Sequence, residues 1–184
     1  MQQYFTKLAL PLLNDVELDP NNLEPLQTYS KFQKYGVAAT RQFDNYGLHV
    51  ATSYKARTKD VMKAAMFLPT SLLQIEEPEG WVLSMQEEGY LPAHVDKDRE
   101  CTINFYFECD GQESRFFEYE DQSLVVAASF IAQHGDAYLL NTKQPHDVKL
   151  KPDSPRKVFG LTFKTTPYET VYGKLLQAGY ISQP

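Results

Sequence analysis

The stretch Cys101-Thr102-Ile103-Asn104-Phe105-Tyr106-Phe107-Glu108 decides the fold class. β-Branched and aromatic residues are frequent in it, as strands favour. Side chains two apart on a strand share a face. One face is therefore Cys101, Ile103, Phe105 and Phe107, suited to packing against a sheet or helix. The other is Thr102, Asn104, Tyr106 and Glu108. A polar row on a central strand is what a ligand pocket inside a barrel requires. A phenol such as Tyr106 can also donate a hydrogen bond to a carboxylate.

The pattern continues on both sides. Further β-rich runs are Trp81 to Gln86, Tyr90 to Val95, Arg115 to Tyr119, Leu124 to Ala132, Ala137 to Asn141, His146 to Leu150 and Lys157 to Lys164. Breakers such as Glu87-Glu88-Gly89, Asp110-Gly111 and His134-Gly135-Asp136 separate them. Short strands at this spacing predict a double-sheet jelly roll or a barrel. The chain thus reads as one mainly β domain with flanking helices. Its parts are a mixed, partly helical flank over 1–80, a jelly-roll core over 81–164 and a C-terminal helix over 165–184. Within the flank, Tyr4 to Leu13 reads as a first strand and Leu23 to Tyr35 as a helix ended by Gly36. Asp60 reads as the cap of a helix through Met66, stopped before Pro69. Thr166-Pro167 reads as a cap with proline in the first turn of a helix from Tyr168 to about Ala178, ending at Gly179.

Composition sets the class of partner. The chain has 184 residues, 12 Tyr, 11 Phe and a net charge of −6. That charge argues against broad contact with a nucleic-acid backbone. Lys143, Lys149, Lys151, Arg156 and Lys157 cluster in sequence and mostly read as a solvated loop face. Cys101 and Cys109 bound one predicted strand, roughly 25 Å apart at strand rise, too far for a disulfide. Free thiols fit a reducing compartment. No stretch approaches the ~20 apolar residues of a membrane span. No signal peptide is evident, so a cytoplasmic protein is expected.

The chemistry lies in His94-Val95-Asp96, His146 and Arg156, in that order. On a strand, His94 and Asp96 point to one face. His146 must come from a distant strand, which an antiparallel barrel can deliver. Two imidazoles and one carboxylate on one side of a metal form the facial triad of non-heme Fe(II) oxygenases and leave coordination positions open. Arg156 can hold the far carboxylate of 2-oxoglutarate by a two-pronged, charge-assisted contact. Val158, Gly160 and Thr162 share its face and are small or branched, leaving room for a ligand. His134 reads as a turn residue and His49 as a structural histidine.

These segments, from Gly89 to Phe107, Gly135 to Thr142, Pro145 to Val148 and at Arg156, resemble the Fe(II)/2-oxoglutarate-dependent dioxygenase superfamily, and within it the prolyl-hydroxylase-like branch. The resemblance implies a double-stranded β-helix. It implies iron on His94, Asp96 and His146, and the 2-oxoglutarate C5 carboxylate on Arg156. It places Tyr106 against that same carboxylate and Asn104 near co-substrate or substrate. It implies dioxygen as the oxidant, with ascorbate a further candidate. The product expected is a hydroxylated C–H, most simply on a prolyl or other side chain of a peptide or protein, with release of succinate and CO2. Two departures stand out. Arg156 replaces the lysine of collagen-type enzymes. Ser84-Met85-Gln86 replaces the tyrosine usual on the preceding strand, with Tyr90 a substitute. Two other readings remain open. One is a cupin-like metal-binding module without oxygenase activity. The other is an oxygenase acting on a small metabolite or a nucleic-acid base.

Overall fold

The alternating runs become strands in two antiparallel sheets in the computed structural model of the protein, which describes residues 4–29, 51–85, 91–109, 111–121, 123–149 and 155–181. In chain order the strands are β1 (Phe5–Leu8), β2 (Glu24–Tyr29), β3 (Ala51–Lys55), β4 (Glu79–Met85), β5 (Leu91–His94), β6 (Cys101–Cys109), β7 (Glu113–Glu120), β8 (Ser123–Ile131), β9 (Ala137–Asn141), β10 (His146–Val148) and β11 (Arg156–Phe163). Helices α1 (Thr58–Ala65) and α2 (Thr70–Leu73) precede β4, and α3 (Tyr168–Gln177) follows β11.

One sheet has the order β1-β9-β6-β11-β4-β3-β2 and the other β5-β10-β7-β8. From β4 onward the chain passes back and forth between them. Strands β4, β6, β9 and β11 lie in the larger sheet, and β5, β7, β8 and β10 in the smaller. That is a double-stranded β-helix, or jelly roll.

Period-two patterning makes the layers. On β6, Ile103 and Phe105 join a core with Phe159 and Leu161 of β11, and with Val171 and Leu175 of α3. The intervening positions Tyr106 and Val158 join a second core with Leu83, Met85, Phe116 and Phe130, which bridges the two sheets. Each such aliphatic or aromatic side chain, fully buried, contributes about 1.5–3 kcal/mol.

The flank departs from expectation. Leu23 to Tyr35 is not helical where it is described: Glu24–Tyr29 is β2, paired with β3. Pro25 would not stop a helix so near its start, but without an N–H it does not suit a central strand. β2 is the outer strand of its sheet, where that is tolerated. The first strand is shorter than Tyr4 to Leu13, spanning only Phe5–Leu8. Strands β1, β2 and β3 extend the larger sheet, so the flank is as much strand as helix. Residues 30–36 and His49 lie outside the described residues.

Helix starts also differ. Asp60 does not cap α1: the N-cap is Arg57, without a side-chain bond. Asp60 is buried one turn in and accepts from the Glu17 backbone N–H at 3.2 Å. Thr166 does not cap α3, whose N-cap is Pro167. Its hydroxyl donates instead to Glu76 Oε2 at 2.7 Å. Glu76 also accepts from the Lys164 N–H at 2.6 Å and the Thr166 N–H at 2.8 Å, tying the end of α2 to the start of α3. The far end of α3 behaves as read, with Gly179 just beyond the Ala178 cap at a φ of 80°. Among the described residues, no helix is long and apolar enough to cross a membrane.

Candidate metal centre

Register brings the two histidines together. β10 pairs antiparallel with β5, and His146 lies directly opposite His94. Their ring centres are 4.3 Å apart. Asp96 is not on a strand, because β5 ends at His94. Its backbone is pinned instead by the loop after β9. The Asp96 N–H donates to Thr142 O at 3.0 Å, and the Lys143 ammonium donates to Asp96 O at 3.4 Å. The Asp96 Oδ1 atom then sits 3.6 Å from His94 Nε2. One ligand atom from each of His94, Asp96 and His146 falls within 4.8 Å of the others.

The distal histidine is held in one tautomer. His146 Nδ1 lies 2.9 Å from Gln144 O. A carbonyl only accepts, so Nδ1 carries the proton and the Nε2 lone pair is left for a metal. Phe116 stacks on the ring at 5.6 Å. Burial, then His94, lowers the His146 pKa to about 4, which keeps the imidazole neutral. Next to it, the fully buried Asp147 carboxylate is held by Arg115 at 2.9 and 2.5 Å, fixing the short β10 to β7.

A cavity of ≈ 340 Å³ runs from these ligands into the space between the sheets. Arg156 lies in its wall and is 2% exposed. Its Nη2 donates to Ser114 Oγ at 2.9 Å. Its guanidinium carbon sits 4.9 Å from the centre of the Tyr106 ring, a cation–π distance. Its Nε and Nη1 have no hydrogen-bond partner among the described residues, and the Tyr106 hydroxyl lies near the Asn104 and Ser114 side chains. Burial raises the Tyr106 pKa against the pull of Arg156, so the phenol keeps its proton. Asn104 lines the same cavity, with Thr102 donating to its Oδ1 at 3.1 Å. Thr102, Asn104 and Tyr106 therefore share the inner side as the alternation predicts, but Glu108 does not: the pairing of β6 with β11 skips Phe107, and Glu108 is exposed beside Lys157 while Cys109 packs toward the inner core.

Other expectations need correction. Gly160 does not leave room for a ligand: a Cβ there would meet the Trp81 ring at 2.2 Å, so the indole takes that space. Ser84 pairs with Lys157 and alternates with the inward Leu83 and Met85, so it faces away from the site. Gln86, Tyr90 and Lys151 lie outside the described residues. The described lysines of the basic cluster lie at or near the surface as read, each beside a carboxylate. Lys143 meets Glu100 at 3.2 Å, Lys149 meets Glu113 at 3.8 Å, and Lys157 meets Glu108 at 2.8 Å. His134 is exposed, its Nδ1 2.7 Å from Phe107 O. Both cysteines are free thiols.

Ser114, Asp147, Arg115, Trp81 and Arg99 were not singled out by the sequence reading. Their positions depend on cross-strand register. The one available signal was the chain's single tryptophan, on a strand that can pair with a strand containing glycine.

The donor set fits a first-row divalent ion such as iron. The unanswered N–H groups of Arg156 fit a carboxylate. No family model matches the chain, and no curated protein matches it. Solved structures do. A 2OG-Fe(II) oxygenase family oxidoreductase from Burkholderia pseudomallei matches at 16% identity and TM-score 0.37, over 46% of this chain and 42% of that one. The ribosomal oxygenase YcfD from Escherichia coli matches at 12% identity and TM-score 0.48, over 73% of this chain and 39% of that one. A predicted oxalate decarboxylase from Thermotoga maritima matches at 9% identity and TM-score 0.43, over 82% of this chain and 98% of that one. The chain spans less than half the length of either oxygenase.

Proposed function

We propose that the protein is an Fe(II)- and 2-oxoglutarate-dependent dioxygenase that hydroxylates an unactivated C–H of a peptide or protein side chain, prolyl being the first candidate. The observation that carries this reading is Arg156. It is a buried, permanently charged group with two N–H donors unanswered among the described residues, in the cavity that also holds the His94, Asp96 and His146 ligand atoms. A buried charge is costly to leave unmatched, so an anion bound beside Arg156 would be strongly favoured. A metal-binding module without a co-substrate has no use for it.

In this reading His94, Asp96 and His146 hold iron. The chemistry that iron would supply, once bound, is dioxygen activation coupled to decarboxylation of 2-oxoglutarate to succinate and CO2. The residues of the chain do the rest. Gln144 O fixes the His146 tautomer. Arg156 binds the far carboxylate through Nε and Nη1, and the protonated Tyr106 hydroxyl donates to the same group. Asn104 offers its amide toward co-substrate or substrate. Phe116, Leu140 and Val158 line the cavity and keep water from it.

The mouth of the cavity supports a polymeric target. It includes Leu26, which is 56% exposed, and the outer Asp98 and Lys164. A rim open among the described residues suits a side chain presented by a peptide better than an enclosed metabolite.

The test is succinate formation from 2-oxoglutarate. Anaerobically prepared protein is given Fe(II), then air, with and without a proline-containing peptide library. Iron-dependent succinate that rises with one peptide supports class and substrate together. Bound metal without succinate under any condition overturns the oxygenase reading in favour of a metal-binding jelly roll.

A further inference from the structure

The cavity rim carries a linked group that the proposed function does not use: Gly160, Trp81, Thr162 and Arg99. Bare backbone at Gly160 lets the indole of Trp81 lie over β11. The Trp81 Nε1–H donates to Thr162 Oγ1 at 2.8 Å, which fixes the ring. The guanidinium carbon of Arg99 sits 5.5 Å from the centre of that ring, and its Nη1 reaches the same hydroxyl at 3.4 Å. Thus braced, Arg99 brings its Nε to 3.4 Å from Asp96 Oδ2.

The two oxygens of Asp96 therefore have different neighbours. Oδ1 faces His94 Nε2, on the side of the candidate metal position. Oδ2 faces a cation. Asp98 competes for Arg99 through two contacts, the Nε–H donating to its Oδ1 at 3.2 Å and Nη2 to its Oδ2 at 3.5 Å. Its side chain is 69% exposed against 17% for Asp96, so water weakens that pair more.

We propose that Arg99, seated on Trp81 and Thr162, is a positioning residue that holds Oδ2 of Asp96 back, so that the carboxylate offers one oxygen to the metal. A carboxylate free to swing would give both oxygens and fill a position the co-substrate needs. This inference rests on the metal and 2-oxoglutarate reading above.

Redox-inert Co(II) tests it without turnover, because visible Co(II) bands weaken as coordination number rises. Co(II) and then 2-oxoglutarate are titrated into metal-free wild type, Arg99→Gln, Arg99→Lys and Asp98→Asn, with thermal melts as the check on folding. In Arg99→Gln the Co(II) bands lose intensity, and 2-oxoglutarate binds about tenfold more weakly. Arg99→Lys recovers part of both effects, and Asp98→Asn shows neither. Unchanged bands in Arg99→Gln overturn the inference, even if Co(II) binds more tightly, since loss of a nearby positive charge alone would do that. Should Arg99→Gln fail to fold, Trp81→Phe removes the Nε1 bond and is expected to weaken the same bands. Parental bands there overturn the inference as well. If wild type binds no Co(II), the metal reading falls and this one with it. If wild type binds Co(II) and 2-oxoglutarate and the Arg99 variants match it, only this one falls.

Discussion

A guanidinium cannot shed its proton, so Arg156 keeps its charge inside the sandwich, beside the Ser114 hydroxyl and the Tyr106 ring. Replacing such a group with a well-packed apolar one is often neutral or stabilising by about 1–4 kcal/mol. Arg156→Met is therefore expected to melt no lower than wild type without ligand. Addition of 2-oxoglutarate should raise the melting temperature of wild type and not of the variant, which paired thermal melts would reveal. His94→Ala and Asp96→Ala are expected to lose iron-dependent succinate formation while circular dichroism stays that of the folded chain. These residues were legible because their chemistry resides in residue type and order. Arg99 and Asp147 were not, because their roles depend on which oxygen or strand they face. That information appears only once Asp147 stands opposite Arg115 and the Asp96 backbone is bonded to Thr142.

Strands β6, β9 and β11 could be read from alternation because both of their faces are specified, one by the apolar core and one by the cavity. β2 could not, since an outer strand containing proline and exposed leucine carries little alternation. The pairing of β11 with β4 makes a sharp test at Gly160. Gly160→Ala would drive a methyl into the Trp81 ring and displace it from Thr162. The expected loss is about 1–3 kcal/mol in urea unfolding, with a shift in tryptophan emission. The link between α2 and α3 makes another. Burial pushes the Glu76 pKa up, but hydrogen bonds from Thr166, Lys164 and Thr165 outweigh it and leave the value lowered. A carboxylate lowered by folding stabilises above its unfolded pKa, and that contribution fades as pH falls through the folded one. Glu76→Gln should therefore cost about 1–2 kcal/mol near pH 7. The difference from wild type should begin to shrink below the ordinary carboxylate range of about 4 and be gone only once pH is below the lowered folded value, as denaturant melts across that range would record.

At the scale of the molecule, eight strands wound between two sheets form the site, and three more widen the larger sheet beside it. The jelly-roll core was legible because turn residues punctuate its strands at short, even spacing. The widening was not, since nothing local tells β1, β2 and β3 which edge they will join. The pairing of β5 with β10, which sets His94 opposite His146, has a kinetic consequence. Each strand is short, four and three residues, and they meet only after the chain between them has been laid down across both sheets. The entropy of closing so long a loop leads us to expect that pairing after the rate-limiting barrier. A metal that needs both imidazoles cannot recognise the transition state, so it should leave refolding untouched and slow escape from the native basin. In a chevron followed by tryptophan emission, saturating Co(II) should lower the unfolding arm and leave the folding arm where it was.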